Sequence, residues 1–269
     1  MTKQELDGRP LVIAFGGGTN SLAVLIGLKR LGIRPDLILF ADTKGEKPET
    51  YQAVKVADQW CLKNGFSGIT TVAAVSPTRG FEGLEGMVVR LDTLPSKAFG
   101  FKTCSQRYKI EPQQKFIKRW KPAVDAWAAG KKVVQVLGYD ADEPQRIKEY
   151  SNAKFEHWYP LPEWGWGRDE CVQAIADEGL PQPGKSACFF CPSMRKPEVI
   201  ALAENNPELF SRAITMERRA LAGGKIGVVK GLGRHWSWEQ LVAASEAQRA
   251  LIPENTMGTD CACFDGSAD

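Results

Sequence analysis

Leu11-Val12-Ile13-Ala14-Phe15-Gly16-Gly17-Gly18-Thr19-Asn20-Ser21-Leu22 is the stretch that decides the fold of this chain. The unbroken apolar run Leu11 to Phe15 reads as a strand buried on both faces, as in a parallel sheet. Gly16, Gly17 and Gly18 then let the backbone turn sharply and present successive N–H groups to an anion. An apolar helix begins near Leu22, so its positive end faces the same place, and Ser21 offers a hydroxyl in its first turn. No Gly-Lys-Ser/Thr follows, so this is not a Walker loop, and the glycine spacing is not G-x-G-x-x-G. A flexible strand-to-helix turn is the competing reading of a lone glycine triplet.

Working outward, Asp36-Leu37-Ile38-Leu39-Phe40-Ala41 is a second strand, and it runs into Asp42-Thr43-Lys44-Gly45-Glu46-Lys47-Pro48-Glu49-Thr50-Tyr51. Ligands of open parallel sheets collect beyond the carboxyl ends of strands. Both strands end in polar, turn-rich clusters. Further strands are expected near 69–75 and 132–137, and helices near 21–31, 49–64 and 107–129. This alternation predicts an α/β fold, a Rossmann-like open parallel sheet flanked by helices. Residues 76–103, with Gly80, Gly83, Gly86, Pro95 and Gly100, lack clear periodicity and are expected to form a loop over the active site.

After residue 150 the composition shifts, with Trp158, Trp164 and Trp166 among Pro160, Pro162, Pro181 and Pro183. Helices are expected near 169–178, 196–204 and 207–222, the last two with Pro197 and Pro207 in their first turns. The expected organisation is a nucleotide-binding core over 1–150 and a helical, cysteine-containing region over 151–269. That second region would pack on the core as a substrate-side elaboration rather than stand alone. The run Gly231-Leu232-Gly233-Arg234-His235-Trp236-Ser237-Trp238 is distinctive, but no mechanism attaches to it.

Taken together, these segments resemble the PP-loop (HUP-type) superfamily and, within it, the phosphoadenylyl-sulfate (PAPS) reductase-like branch. Gly16 to Ser21 matches that family's Ser-Gly-Gly-x-Asp-Ser loop, with Gly16 for serine and Asn20 for aspartate. Asp42-Thr43 through Pro48-Glu49-Thr50-Tyr51 matches its Asp-Thr-Gly…Pro-Glu-Thr-Tyr segment, with Lys44 where glycine is usual. Cys104 to Lys109 is similar to Cys-x-x-Arg-x-Lys, and Gly138 to Arg146 to Gly-x-Arg-x-Asp-Glu-Ser…Arg, with Asp140 at the arginine position. Tyr159 to Trp164 resembles a Pro-Leu…Trp element, and Cys188-Phe189-Phe190-Cys191-Pro192 a late Cys-x-x-Cys-Pro. The resemblance spans about residues 10–200. The closing Cys261-Ala262-Cys263 is similar to that of phage and bacterial members of uncertain function.

The resemblance implies an adenine nucleotide, ATP or a relative, held by Gly16, Gly17, Gly18, Thr19, Asn20 and Ser21. Thr43, Asp140, Asp142, Glu143 and Arg146 would complete that site. Arginine binds phosphate bidentately, and the carboxylates would hold Arg146 or join in metal binding. Helix-start capping by Asp142 or Glu143 is the alternative. Because Asn20 contributes no charge to a cation such as Mg²⁺, Asp42 is the candidate replacement or a contact to the nucleotide sugar. A structural carboxylate capping the next turn is its competing reading. Arg107, Lys109 and Lys185 are further candidates for anion contacts, or solvated surface charges.

Cys188 and Cys191 have the spacing that lets both sulfurs face one metal or cluster, against a buried apolar pair. By resemblance, Cys104, Cys188 and Cys191 would hold a four-iron cluster, with Cys263 in preference to Cys261 as fourth ligand. Four thiolates also suit zinc. In adenylyl-sulfate reductases a tail cysteine attacks sulfur, and Asp260-Cys261 is a loose echo of that segment. Asp42, Arg146 and Cys261 are therefore the candidate catalytic residues. Cys61 and Cys171 fall in helical patterns and read as packing thiols.

The chain has 269 residues, 43% apolar and 25% charged, which suits a globular enzyme with a real core. Its net charge of +3 is too small to demand a nucleic-acid partner. Seven cysteines in such a chain point to metal or redox chemistry rather than a disulfide framework. No segment approaches the roughly 20 apolar residues of a membrane span. With a polar start, a cytoplasmic location and no membrane partner are expected. The leading expectation is ATP-dependent activation of an acceptor, with pyrophosphate release, for sulfur or nitrogen transfer. The acceptor would be a nucleic acid or a small molecule, and the partner a sulfur donor. The alternatives are a PAPS or adenylyl-sulfate reductase served by a thioredoxin-like reductant, and a nucleotide-binding protein without turnover.

Overall fold

A computed structural model describes residue 6, residues 8–223 and residues 229–250. Five parallel strands make the main sheet: β1 (Leu11–Phe15), β2 (Leu37–Asp42), β3 (Ile69–Ala73), β6 (Val133–Leu137) and β7 (Phe155–Trp158). They lie side by side in the order β3-β2-β1-β6-β7. β4 (Val75–Ser76) and β5 (Phe81–Glu82) form a small antiparallel hairpin outside it. The helices are α1 (Thr19–Arg30), α2 (Pro48–Lys63), α3 (Gly83–Leu91), α4 (Thr103–Ser105), α5 (Glu111–Ile117) and α6 (Lys121–Ala128). They continue with α7 (Pro160–Glu163), α8 (Arg168–Asp177), α9 (Lys196–Asn205), α10 (Pro207–Ala222) and α11 (Trp238–Ala250).

The strands are apolar throughout because both sheet faces are covered. Ile13, Phe15, Ile38 and Phe40 point to one face, against α1, α2 and α8. Val12, Leu37 and Leu39 point to the other, against Ile117 and Ala123. Cys61 and Cys171 are buried in the first of these layers, where burial raises each thiol to about 12. Both are packing residues.

Three expectations need correction. The helix expected over 107–129 is broken: a π-helical turn, Gln106–Ile110, leads into α5, and the chain restarts as α6. Pro122 explains the interruption, since it lacks an N–H and its ring crowds the carbonyl four residues back. The strand expected over 69–75 stops at Ala73. The stretch 76–103 is not one continuous loop, because it contains α3, which buries Leu84 and Val88 beside Phe189, Phe190 and Met194. The sheet also runs past residue 150, with β7 pairing in parallel to β6. Trp158 is buried beneath it, and Trp164 meets Trp158 and Trp166 edge-on.

A second apolar core joins α3 to Cys188–Met194, α9, α10 and α11. Inside it the otherwise unexplained 231–238 run has a structural role. Glu217 of α10, 1% exposed, accepts from Leu232 N at 2.7 Å, Ser237 Oγ at 2.5 Å and Trp238 N at 3.1 Å. The run is a cap folded around one buried carboxylate.

Candidate functional site

The strand order reverses at β1: β2 and β3 lie to one side, β6 and β7 to the other. Loops leaving β1 and β6 therefore diverge at their carboxyl ends and open the crevice where such sheets hold ligands. Gly16–Ser21 leaves β1 and Gly138–Asp142 leaves β6, so two of the expected clusters face each other there.

Gly17 has φ +74°, a conformation that glycine reaches without strain. Gly18 caps α1, and Ser21 Oγ donates to Gly18 O at 2.9 Å while receiving Gly18 N–H at 3.3 Å. The loop is thus stiffened before any ligand arrives. Gly138 lies so close to α1 that a Cβ would stand 3.0 Å from the Asn20 carbonyl and the Ser21 amide nitrogen. That contact lets Asp140 reach the loop: Asn20 Nδ2 donates to Asp140 Oδ2 at 2.8 Å. Arg168 Nη1 donates to Asn20 Oδ1 at 3.3 Å. Thr19 is buried and donates to Pro183 O at 3.4 Å.

Other members of the expected set are engaged in structure. Asp142 Oδ2 accepts the Arg168 amide at 2.7 Å, which caps the start of α8. Arg146 forks onto both oxygens of Glu143 at 2.8 Å and stacks 4.1 Å over the Tyr139 ring. Asp42 accepts from Lys44 N at 2.7 Å and Tyr51 OH at 2.8 Å, capping the turn after β2. Lys44 has φ +61°, a conformation that glycine reaches more readily than lysine. Lys185 pairs with Glu198 at 3.0 Å, whereas Arg107 is exposed.

Beyond β2 lies a second polar centre, and sequence reasoning missed its key member, Glu46. Its side chain is fully buried, paired to Lys109 Nζ at 3.0 Å and receiving Thr43 Oγ1 at 3.0 Å. Thr43 Oγ1 is also 3.2 Å from Cys188 Sγ. Strand-like pairing between Glu46 and Cys188, with Phe189 N donating to Gly45 O at 2.9 Å, holds these segments together. The only signal available was position: Glu46 stands between two matched segments. An open depression of about 440 Å³ borders it, lined in part by Lys44, Tyr51, Lys55, Glu85 and Arg212. A larger one, about 710 Å³, lies between Arg9, Asp36 and Lys131 at the opposite, amino-terminal edge, where the sheet offers no diverging loops.

Cys104, Cys188 and Cys191 all pack on the second core, so the fold brings the expected thiols to one region. Cys104 Sγ lies 3.0 Å from Ser96 Oγ. Burial, then the Glu46 carboxylate, pushes the Cys188 thiol well up, so it stays protonated at neutral pH. Among the described residues no group of three or more His, Cys, Asp or Glu side chains is placed to hold a metal ion. Cys261 and Cys263 lie outside the described residues. Brief alkylation of folded protein near about pH 8 should label Cys104 and Cys191 ahead of Cys61, Cys171 and Cys188, as read by mass spectrometry. Equal labelling of Cys188 would contradict its burial.

No family model matches the chain. An uncharacterised protein of Methanocaldococcus jannaschii is 26% identical over 242 residues, which cover 86% of this chain and 46% of that protein. The chain thus spans about half the length of that relative. Among solved structures, the U34-tRNA thiolase NcsA of Methanococcus maripaludis, with its [4Fe-4S] cluster, aligns with a TM-score of 0.40 and 14% identity. The alignment covers 83% of this chain and 76% of that one. At that level the likeness says nothing about activity. Among the described residues no helix is long and apolar enough to cross a membrane.

Proposed function

We propose that the chain is a PP-loop enzyme that binds ATP at Gly16–Ser21 and activates an acceptor by adenylylation, for sulfur or nitrogen transfer. The observation that carries this reading is the stiffened glycine loop at the start of α1, facing Gly138–Asp140 across the reversal in strand order. Backbone amides at a helix start hold phosphate oxygens, and the helix dipole adds to their pull. Acceptor oxygen would attack the α-phosphorus, and the bond to the β,γ unit would break to release pyrophosphate. An iron–sulfur cluster belongs to this reading as a cofactor that Cys104, Cys188 and Cys191, which pack on one core, would hold with Cys263 as fourth ligand.

The test is incubation with ATP, an acceptor pool of cellular RNA and small metabolites and a sulfide or ammonia donor, and separately with PAPS and a dithiol reductant, followed by assay of pyrophosphate, AMP and sulfite. Pyrophosphate and AMP from ATP are expected. Sulfite from PAPS would replace this reading with a reductase, and ATP binding without either product would leave a nucleotide-binding protein. Ser21→Ala should weaken ATP binding by a few-fold to about tenfold, since it removes a hydrogen-bonding hydroxyl worth about 0.5–1.5 kcal/mol. Gly17→Val is a poorer probe than its sequence suggests. A Cβ there would stand 3.0 Å from Thr50 Cγ2, so the change strains the backbone and disturbs α2 as well. Unchanged affinity in Ser21→Ala, by calorimetry, would remove Ser21 from the phosphate site.

A further inference from the structure

We infer that Asp140 supplies the carboxylate oxygen for a divalent cation that accompanies the nucleotide phosphates, in place of an acid within the loop. The inference rests on the ATP reading above and deepens it. A loop with Asn20 at its tip offers donors to phosphate but no charge to a cation. The carboxylate must come from a neighbour.

The inventory of neighbouring acids is short, and structure occupies nearly all of it. Asp142 caps α8, Glu143 is forked by Arg146, and Asp42 holds Lys44 N and Tyr51 OH. Glu46 is neutralised by Lys109 on the far side of β2. Asp140 differs. It is 4% exposed, its Oδ2 accepts from Asn20, and its buried Oδ1 has no hydrogen-bond partner among the described residues. An unpartnered buried carboxylate oxygen is costly and calls for a donor or a cation.

The residues fit Mg²⁺ at this point. Mg²⁺ takes one or two carboxylates and completes its shell with phosphate oxygens and water, so a three-ligand protein cage is not required. Asn20 fixes Asp140 from the loop side, and Arg168 fixes Asn20 in turn. Both positions depart from the motifs the chain resembles, and they touch. The acid missing from the loop is present on its hydrogen-bond partner.

The test is calorimetry on the full chain with ATP in EDTA and with ATP plus MgCl₂. Wild type should bind ATP about tenfold tighter with Mg²⁺, a change of about 1.4 kcal/mol. Asp140→Asn should lose that gain. It should also bind Mg²⁺-free ATP at least as tightly as wild type, because a negative charge beside the phosphates is gone. The double variant Asn20→Asp with Asp140→Asn returns the acid to the loop and should restore the Mg²⁺ gain, which a merely structural Asp140 would not allow. Electron paramagnetic resonance of Mn²⁺ with ATP gives a readout independent of turnover, and its bound signal should fall in Asp140→Asn. A Mg²⁺ gain equal to wild type in folded Asp140→Asn overturns the inference while leaving the ATP site intact. Absence of ATP binding by wild type in either buffer overturns the ATP reading, and this one with it.

Discussion

Replacing Glu217 by alanine should lower folding stability by about 4 kcal/mol, because several buried donors lose their acceptor at about 1–3 kcal/mol each. The donors are Leu232 N, Ser237 Oγ and Trp238 N, all buried, with Glu239 N at 3.4 Å on the edge of the set. Bulk water does not reach these donors, since Glu217 is 1% exposed and Leu232 and Trp238 are fully buried. Glu217→Gln keeps the shape but turns one acceptor into a donor facing other donors, so it should lose part of the same stability. Arg218→Ala is the control. Its pair with Glu239 is exposed and should matter little. Urea unfolding followed by circular dichroism measures all three. A loss below about 1 kcal/mol for Glu217→Ala would show that the 231–238 run does not depend on this carboxylate.

Lys109→Met should cost about 3 kcal/mol, the lower end for breaking a buried ion pair, because Lys109 keeps about a third of its side chain exposed. Glu46 then remains as a buried, uncompensated carboxylate. Its second oxygen, Oε2, is already without a partner among the described residues. Combining Lys109→Met with Glu46→Gln should recover much of the loss, since the charge left behind is the larger penalty. Burial pulls the Lys109 ammonium down, but Glu46 and its neighbours more than offset this, and the net shift is upward. A raised folded value means the contribution is complete below the ordinary lysine value of 10.5 and lost as pH rises through the folded one. The gap between wild type and Lys109→Met should therefore hold through neutral pH and close in alkali. Equal stability of the two proteins at neutral pH would show that Glu46 finds another partner.

The sequence by itself determined the α/β class, the parallel sheet and the place of the glycine loop. All three depend on local features. Short unbroken apolar runs such as Leu11–Phe15 and Leu37–Ala41, bounded by turn residues, suit strands covered on both faces, and glycines at a strand-to-helix turn relax the limits on the backbone. The two packing thiols were legible for the same reason, as each lies on the apolar side of a helical pattern. Pro122 stood in the sequence as a local stop, and an even polar-apolar rhythm across it concealed the break.

Which polar groups meet was decided only by the tertiary structure. Asn20 and Asp140 are 120 residues apart, and Thr43 and Cys188 are 145 apart. Nothing in either segment encodes its partner, because the contact depends on strand order: β6 lies beside β1, and Gly138 lets its loop close on α1. The same holds for α3, whose apolar residues gave no clear period but find a core in α9, α10 and Phe189. Glu46 shows the limit most plainly. A glutamate in a lysine-rich turn reads as a solvated charge, and only the approach of Lys109, Thr43 and the Cys188 segment makes it a buried one.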